Sequence, residues 1–305
     1  MKKILTLLTT FILSLFLVSC NNNYKYVEGK VNIVATTTML GDLAKEVGGD
    51  KVSVTTLMGV GVDPHLYSAK ASDTNALTKS DFIIYGGLHL EGKMVDVLEK
   101  LSEKKPYLNS GEVVHQKKGV LLHDDKGNID PHIWFNLNNW ILVTQGLVEN
   151  LSNYDSENAS YYEERGNNYI EQLKQLDLWI KEKVSELELK DRILVTAHDA
   201  FQYFANAYDF TVESIQGIST DSEASIADIN NLVNLVIEKN VKAIFIENSI
   251  PHKTIESVIA AAKSKNHELI IGGELYADSL GNNEHSNFIN AYKHNVETIV
   301  EALKK

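Results

Sequence analysis

Histidine and aspartate stand in a recurring arrangement that could hold a metal ion. The tripeptide Asp-Pro-His occurs at 63–65 and again at 130–132, and the pattern continues at His198 and Asp278. Proline fixes its own φ and restricts the residue before it, so each tripeptide is a rigid turn that can hold an imidazole against a small target. One such turn is weak evidence, because Asp and Pro are common in turns for other reasons. Two of them in one half of the chain indicate a binding site more strongly.

His198 lies in the stretch LVTAHDAFQYF, residues 194–204, behind a short apolar run and before a segment with a helical pattern. A strand is predicted to end and a helix to begin there, and such junctions present side chains to a ligand crevice in α/β proteins. For this residue alone, a half-buried histidine with ordinary hydrogen bonds is the simpler interpretation. The other positions of the pattern must therefore decide its role.

Cys20 is the only cysteine in the 305 residues, so the chain can form no internal disulfide and no cysteine metal site. Any metal must use His, Asp or Glu.

Residues 1–19 combine a basic start with an apolar run at 4–18, which is shorter than the roughly 20 residues that span a bilayer. We predict a signal peptide at 1–19 that ends in Leu-Val-Ser-Cys and resembles a bacterial lipobox. A lipidated tether at 20–30 would then hold the protein to the extracytoplasmic face of the cell membrane.

The charge of the chain excludes several function classes. The formal net charge is −12, and removal of the signal peptide takes away Lys2 and Lys3 but no acid. No basic stripe with interleaved aromatic residues is present, so the sequence argues against nucleic acid and against an electrostatic membrane-binding face. The motif of a P-loop ATPase is also missing from the sequence, so energy for any transport must come from a partner.

Strand-like runs alternate with helical patterns along the chain, which predicts parallel sheets covered on both faces. The strand-like runs are 32–38, 52–58, 81–87, 192–197, 243–248 and 268–273, and helical segments include 225–239 and 254–266. The predicted fold class is α/β, with two lobes, each a mainly parallel sheet flanked by helices. We place the N-terminal lobe at 31–156 and the C-terminal lobe at 188–305.

A long helix is predicted between the lobes at 157–187, because apolar residues recur there with helical spacing. Its internal Gly166 could mark a kink, although an isolated glycine is often tolerated in a helix. One long rigid helix between the lobes should limit their relative motion. A ligand would then be bound in the cleft without wide hinge closure.

The chain resembles the metal-binding receptor lipoproteins of ABC importers for manganese and zinc, the cluster A-I solute-binding proteins. The resemblance covers nearly everything after the signal peptide. It rests on GVDPHLYSAKASD (61–73), IIYGGLHLEGKM (83–94), NIDPHIWFN (128–136), LVTAHDAFQYFANAY (194–208), GISTDSEAS (217–225) and GELYADSLG (273–281). It implies one Mn²⁺ or Zn²⁺ ion per chain, held by His65, His132, His198 and Asp278.

The chemistry of this set agrees with the resemblance. Three imidazoles and a carboxylate suit Zn²⁺ or Mn²⁺ and lack the thiolates of many structural zinc sites. Manganese-preferring members of the family often carry glutamate at the position of His198, whereas some members that take both metals keep histidine. The segment 117–129 also lacks the long His-rich insert of dedicated zinc receptors. The resemblance therefore favours manganese with zinc also bound, although intrinsic affinity should favour zinc.

Other polar residues near these motifs have simpler predicted roles. His89 is expected to pack or to support the site, Glu247 to support a ligand or end a strand, and Asp199 to cap the following helix. The remaining histidines are predicted to lie at the surface: His115, His123, His252, His267, His285 and His294.

The resulting functional hypothesis is a receptor, not an enzyme. It would capture a divalent metal and deliver it to a membrane permease of the ABC type with a separate ATPase subunit, and we expect a monomer anchored through Cys20. One alternative is a zinc-dependent hydrolase, but catalytic zinc usually has three protein ligands and an open position. The other is a surface adhesin with a structural metal. Because imidazole must be neutral to bind metal, affinity is expected to fall below about pH 6.

Overall fold

The computed structural model describes residues 24–304. The predicted signal peptide, Cys20 and the first part of the tether therefore lie outside the described residues. Within 24–304, every helix is too short or too polar to cross a membrane.

The N-terminal lobe is built on a four-stranded sheet in the order β2-β1-β3-β4, with all pairs parallel. Its strands are β1 Val31–Ala35, β2 Val52–Thr56, β3 Phe82–Tyr85 and β4 Tyr107–Asn109. Every residue of β1 is buried, as expected for a central strand with helices on both faces. The helices of this lobe are α1 Thr38–Gly48, α2 Ala71–Lys79, α3 Val95–Ser102, α4 Ser110–Gln116 and α5 Leu137–Tyr154.

The C-terminal lobe contains two pairs of parallel strands. Strand β5 Ile193–His198 pairs with β6 Thr211–Gln216, and β7 Ala243–Glu247 pairs with β8 Ile270–Leu275. The helices of this lobe are α7 Gln202–Tyr208, α8 Ile226–Glu238, α9 Lys253–Ser264 and α10 Phe288–Leu303. The predicted α/β fold, with mainly parallel sheets flanked by helices, is confirmed.

A single helix, α6 Ala159–Val184, connects the lobes and is preceded by a 3₁₀ turn at Ser156–Asn158. It continues through Gly166, which is buried against α5, and a Cβ at Gly166 would lie only 2.2 Å from Val148 Cγ2. The glycine therefore allows close packing of two helices and does not interrupt α6.

Helix α6 packs against α1 and α5 of the first lobe and against α10 of the second. Its buried residues Leu173 and Leu176 belong to one hydrophobic cluster that also contains Ile33 of β1 and Val296 of α10. Since a close-packed core has low compressibility, a core that both lobes share with this helix opposes hinge motion about it. The connecting helix thus packs against both lobes, as expected for a helix that limits their relative motion.

Candidate metal centre

Four buried side chains meet in the cleft between the lobes, and each comes from a segment next to a strand or a short helix. His65 lies in a turn after β2, and His132 immediately precedes a 3₁₀ turn at Ile133–Phe135. His198 is the last residue of β5, and Asp278 lies shortly after the end of β8. All four are at most 1% exposed. The structure therefore brings together the four residues implied by the resemblance.

One ligand atom from each of the four residues lies within 4.8 Å of the others. The Asp278 carboxylate is the common neighbour, with Oδ2 at 3.2 Å from His198 Nε2 and 3.6 Å from His65 Nε2. Its Oδ1 lies 3.4 Å from His132 Nε2. A single ion at the centre could contact all four groups, and three nitrogens with one carboxylate are a donor set that zinc and manganese accept.

Buried carboxylates fix the rings of two of the histidines. Glu247 Oε2 lies 2.6 Å from His198 Nδ1, and its Oε1 accepts the backbone N–H groups of Ala197 and His198. Asp130 Oδ1 lies 2.6 Å from His132 Nδ1. A carboxylate on Nδ1 selects the tautomer that leaves Nε2 free for a metal and makes it more basic. The sequence suggested this role for Glu247, whereas the contact between Asp130 and the His132 ring was not anticipated.

The arrangement of atoms at the centre favours a positive charge there. His132 Nε2 and His198 Nε2 are 3.2 Å apart, and two bare nitrogen lone pairs at that distance repel each other. Both oxygens of Asp278 and Nε2 of His65 are buried and have no hydrogen-bond partner among residues 24–304. Such groups are costly to bury unless a cation or proton balances them. The geometry therefore suits a cation.

The pKa values of the four residues are also consistent with a positive charge at the centre. Burial lowers the pKa of His65 to about 3, so this imidazole is neutral and ready to bind. Burial alone would also lower the pKa of His132, but the carboxylates of Asp130 and Asp278 raise it to about 9. For His198, Glu247 and Asp278 likewise overcome burial and raise the pKa well above its usual range. Burial would raise the pKa of Asp278, yet His198 and His132 hold it well below its usual range.

The turn that carries His65 is supported by a loop at the end of β3. Glu91 is buried, accepts the N–H groups of Gly86 and Gly87, and accepts the hydroxyl of Thr36 at 2.7 Å. The next residue, Gly92, has φ +28°, and a Cβ there would lie 2.2 Å from the carbonyl oxygen of His65. Gly92 in the motif GLHLEGKM thus allows the close approach of the His65 backbone, a role that the sequence pattern does not indicate.

Three of the secondary predictions need correction. His89 is exposed in a loop with positive φ and lines the same cavity as His65, so its side chain does not pack in the core. Asp199 does not cap α7, because the residue before that helix is Phe201, and Asp199 accepts the side-chain amide of Gln202 instead. Three of the histidines predicted to lie at the surface are half-buried instead of exposed: His267, His285 and His294.

Metal binding should become tighter as pH rises from about 6.5 to about 9, a higher window than the sequence alone indicated. The metal-free protein holds a proton on His132 below its pKa of about 9, and the ion must displace it. Calorimetric titrations in two buffers with different ionisation enthalpies would count the protons released. An affinity that does not change between pH 6.5 and 9 would contradict the assignment of His132 as a ligand.

His132 should also make the stability of the metal-free protein depend on pH. Since the pKa of His132 rises from its ordinary 6.5 to about 9 on folding, its stabilising contribution is fully present below 6.5 and is lost as pH rises through 9. The free energy of unfolding of metal-free protein should therefore fall over that interval. Bound metal should remove this dependence, which urea titrations with and without Mn²⁺ can measure.

The fold and the cleft together define the class of two-lobed solute-binding proteins. Residues 33–302 match the family described as zinc-uptake complex component A, periplasmic, ZnuA. The chain is 40% identical over 282 residues to the manganese-binding lipoprotein MntA of Bacillus subtilis, with 92% of each chain covered. It is 30% identical over 318 residues to the manganese ABC transporter substrate-binding lipoprotein PsaA of Streptococcus pneumoniae, with 100% of each covered.

A solved structure has the same architecture. The periplasmic zinc-binding protein TroA from Treponema pallidum superposes with a TM-score of 0.87 at 38% sequence identity, covering 90% of this chain and 99% of that one. The chain belongs to the zinc-uptake complex component A family. This is a family of solute-binding transport proteins and not of enzymes, so the matches fit the receptor hypothesis and not the hydrolase hypothesis.

Proposed function

We propose that this chain is an extracytoplasmic receptor that binds one divalent transition metal ion through His65, His132, His198 and Asp278. The observation that carries the proposal is the convergence of three imidazole Nε2 atoms on one buried carboxylate, with 3.2 Å between two of the nitrogens. Two ligands come from each lobe, so the ion would link the two sides of the cleft. Four protein ligands leave little room for the open position that catalytic zinc usually keeps.

Manganese is the proposed cargo, with zinc also bound. The relative MntA is named for manganese and TroA for zinc, and the resemblance favours manganese for a chain with this short segment before the second histidine. Nitrogen-rich sites nevertheless bind Zn²⁺ more tightly than Mn²⁺ in general. The metal carried in the cell would then depend on which ion is available as well as on affinity.

The proposed partner is a membrane permease of the ABC type with a separate ATPase subunit. PsaA is named as the substrate-binding lipoprotein of an ABC transporter, and the signal and Cys20 motif of this chain fit the same arrangement. We propose that Cys20 carries the lipid anchor, that residues 20–30 form the tether and that the receptor acts as a monomer. The lobes would be 31–156 and 188–305, with 157–187 between them.

Metal accumulation in cells tests the transport role. In bacteria that lack their own receptor of this kind but keep the permease, the wild-type chain should restore uptake of ⁵⁴Mn. The variant His132→Ala should not, because it removes one of the three imidazoles that converge on Asp278. His115→Ala, which changes an exposed histidine, is the matched control and should restore uptake fully. Equal uptake with His132→Ala and wild type, at equal protein levels, would refute the role.

A further inference from the structure

The two Asp-Pro-His turns have the same sequence but different hydrogen bonds. In both turns, Oδ1 of the aspartate accepts the backbone N–H of the histidine at 2.9 Å. Asp130 also holds the ring of its own histidine at Nδ1. Asp63 instead uses Oδ2 to accept the hydroxyl of Thr220 at 2.6 Å. Because Thr220 belongs to the C-terminal lobe, this bond crosses the cleft.

Thr220 lies in residues 217–225, between β6 and α8, which we call the cleft loop. Thr220 is 6% exposed although the next three residues, 221–223, are exposed. Among the residues that the structure describes, its bond to Asp63 is the only hydrogen bond from the cleft loop to the N-terminal lobe. This hydroxyl is therefore the hydrogen-bonded link between the cleft loop and the N-terminal lobe in the described part of the chain.

A cavity of about 890 Å³ lies beneath the cleft loop and reaches His65, at the edge of the metal centre. The cleft loop lines it with Ile218, Ser219 and Asp221, and the N-terminal lobe lines the opposite side with residues that include Leu88. Of the four proposed ligands, only His65 faces the cavity. An ion that leaves the centre by this route must pass His65 and then the cleft loop.

His65 also has the least support of the three imidazoles. The rings of His132 and His198 are each fixed at Nδ1 by a carboxylate from their own lobe. Asp63 contacts only the backbone of His65, and the second oxygen of Asp63 is held from the opposite lobe by Thr220. The placement of His65 is thus coupled to the cleft loop through Asp63.

We propose that Thr220 is a positioning residue. Its hydrogen bond to Asp63, which we call the latch, holds His65 in the binding geometry. The same bond holds the cleft loop over the route by which the ion leaves. This inference rests on the proposed function as a metal receptor. Loss of the hydroxyl leaves Asp63 Oδ2 without its donor, and the turn with His65 and the cleft loop can then separate. The ion is released faster, while the fold and the number of ions bound per chain stay the same.

Release of Mn²⁺ from the loaded protein into excess chelator tests the latch. Stopped-flow tryptophan fluorescence can follow it, since the Trp134 ring lies 5.3 Å from the His132 ring. Thr220→Val keeps the shape but removes the hydroxyl, and it should release Mn²⁺ about 10-fold faster or more, the effect of losing one hydrogen bond to a charged group. Thr220→Ser keeps the hydroxyl and should return the rate towards that of wild type.

A matched control changes the same loop without touching the latch. Ser222 is exposed, and its hydroxyl makes no hydrogen bond within residues 24–304, so Ser222→Ala should release Mn²⁺ at the wild-type rate. A wild-type rate for Thr220→Val, or equally fast release by Thr220→Ser, would overturn the latch. Failure of wild type to bind one Mn²⁺ per chain would instead overturn the proposed function, so the two failures are distinguishable.

Discussion

Replacing Asp278 with alanine should lower the affinity for Mn²⁺ and Zn²⁺ by about 1,000-fold, because a buried charge pair that loses one partner costs about 4 kcal/mol. Asp278 supplies the only carboxylate of the proposed set and is the common neighbour of the three imidazoles. Without it, a dication in the centre would face only neutral rings. Competition with a chromophoric chelator of known affinity measures the change.

Asp191→Ala is the matched control for this variant, since Asp191 is an exposed aspartate in a 3₁₀ turn of the same lobe. It should bind metal as wild type does. Circular dichroism of both metal-free variants would show whether the fold is kept. If Asp278→Ala remains folded and binds within a few-fold of wild type, Asp278 is not a ligand.

Replacing Glu247 with glutamine should weaken metal binding by about 10- to 100-fold, the usual effect of removing a carboxylate that orients a ligating histidine. Glu247 is fully buried and holds Nδ1 of His198 at 2.6 Å. The shape of the side chain is kept, but an amide can present an N–H to the ring. His198 would then carry its proton on Nε2, the nitrogen that faces the centre.

Glu238→Gln makes the same chemical change at an exposed residue at the end of α8 and should leave affinity unaltered. The chemical shifts of the His198 ring, measured by NMR with labelled histidine, report the tautomer directly. Wild-type affinity together with an altered tautomer would show that the orientation of this ring does not limit binding.

Most of the fold follows from the spacing of apolar residues. The runs at 192–197 and 243–248 became β5 and β7, because short β-branched segments between helices are buried in parallel sheets. The segment 225–239 became α8, where Ser225 accepts the N–H of Asp228 and forms a capping box. Local signals of this kind depend on neighbours in sequence, so they can be read without the tertiary structure.

Two strands were not found in the sequence, and each has a physical reason. Strand β4 is only three residues long, Tyr107–Asn109, so it gives no periodic signal. Strand β6, Thr211–Gln216, carries Glu213, Ser214 and Gln216, and most of it is half-buried or exposed. Its pairing with β5 comes from backbone hydrogen bonds and not from an apolar pattern.

The sequence indicated the candidate ligands of the site, but it did not indicate all of the hydrogen bonds that hold them in place. The repeated Asp-Pro-His turns and the family motifs pointed to His65, His132, His198 and Asp278, whose roles as ligands remain a proposal. The identical turns gave no hint that Asp130 contacts a ring while Asp63 bonds Thr220 across the cleft. That difference arises from residues about 157 positions apart meeting in the folded chain, so no local pattern can show it.

Competitive metal titration of residues 21–305, stripped of ions, tests the central claim most directly. Mn²⁺ and Zn²⁺ would be titrated against each other, with bound stoichiometry determined by elemental analysis. The proposed site predicts one ion per chain for each metal alone, and displacement of Mn²⁺ by Zn²⁺ at equal concentrations, following the general affinity order. Absence of a stoichiometric ion, or two ions bound equally tightly, would contradict a single centre formed by these four residues.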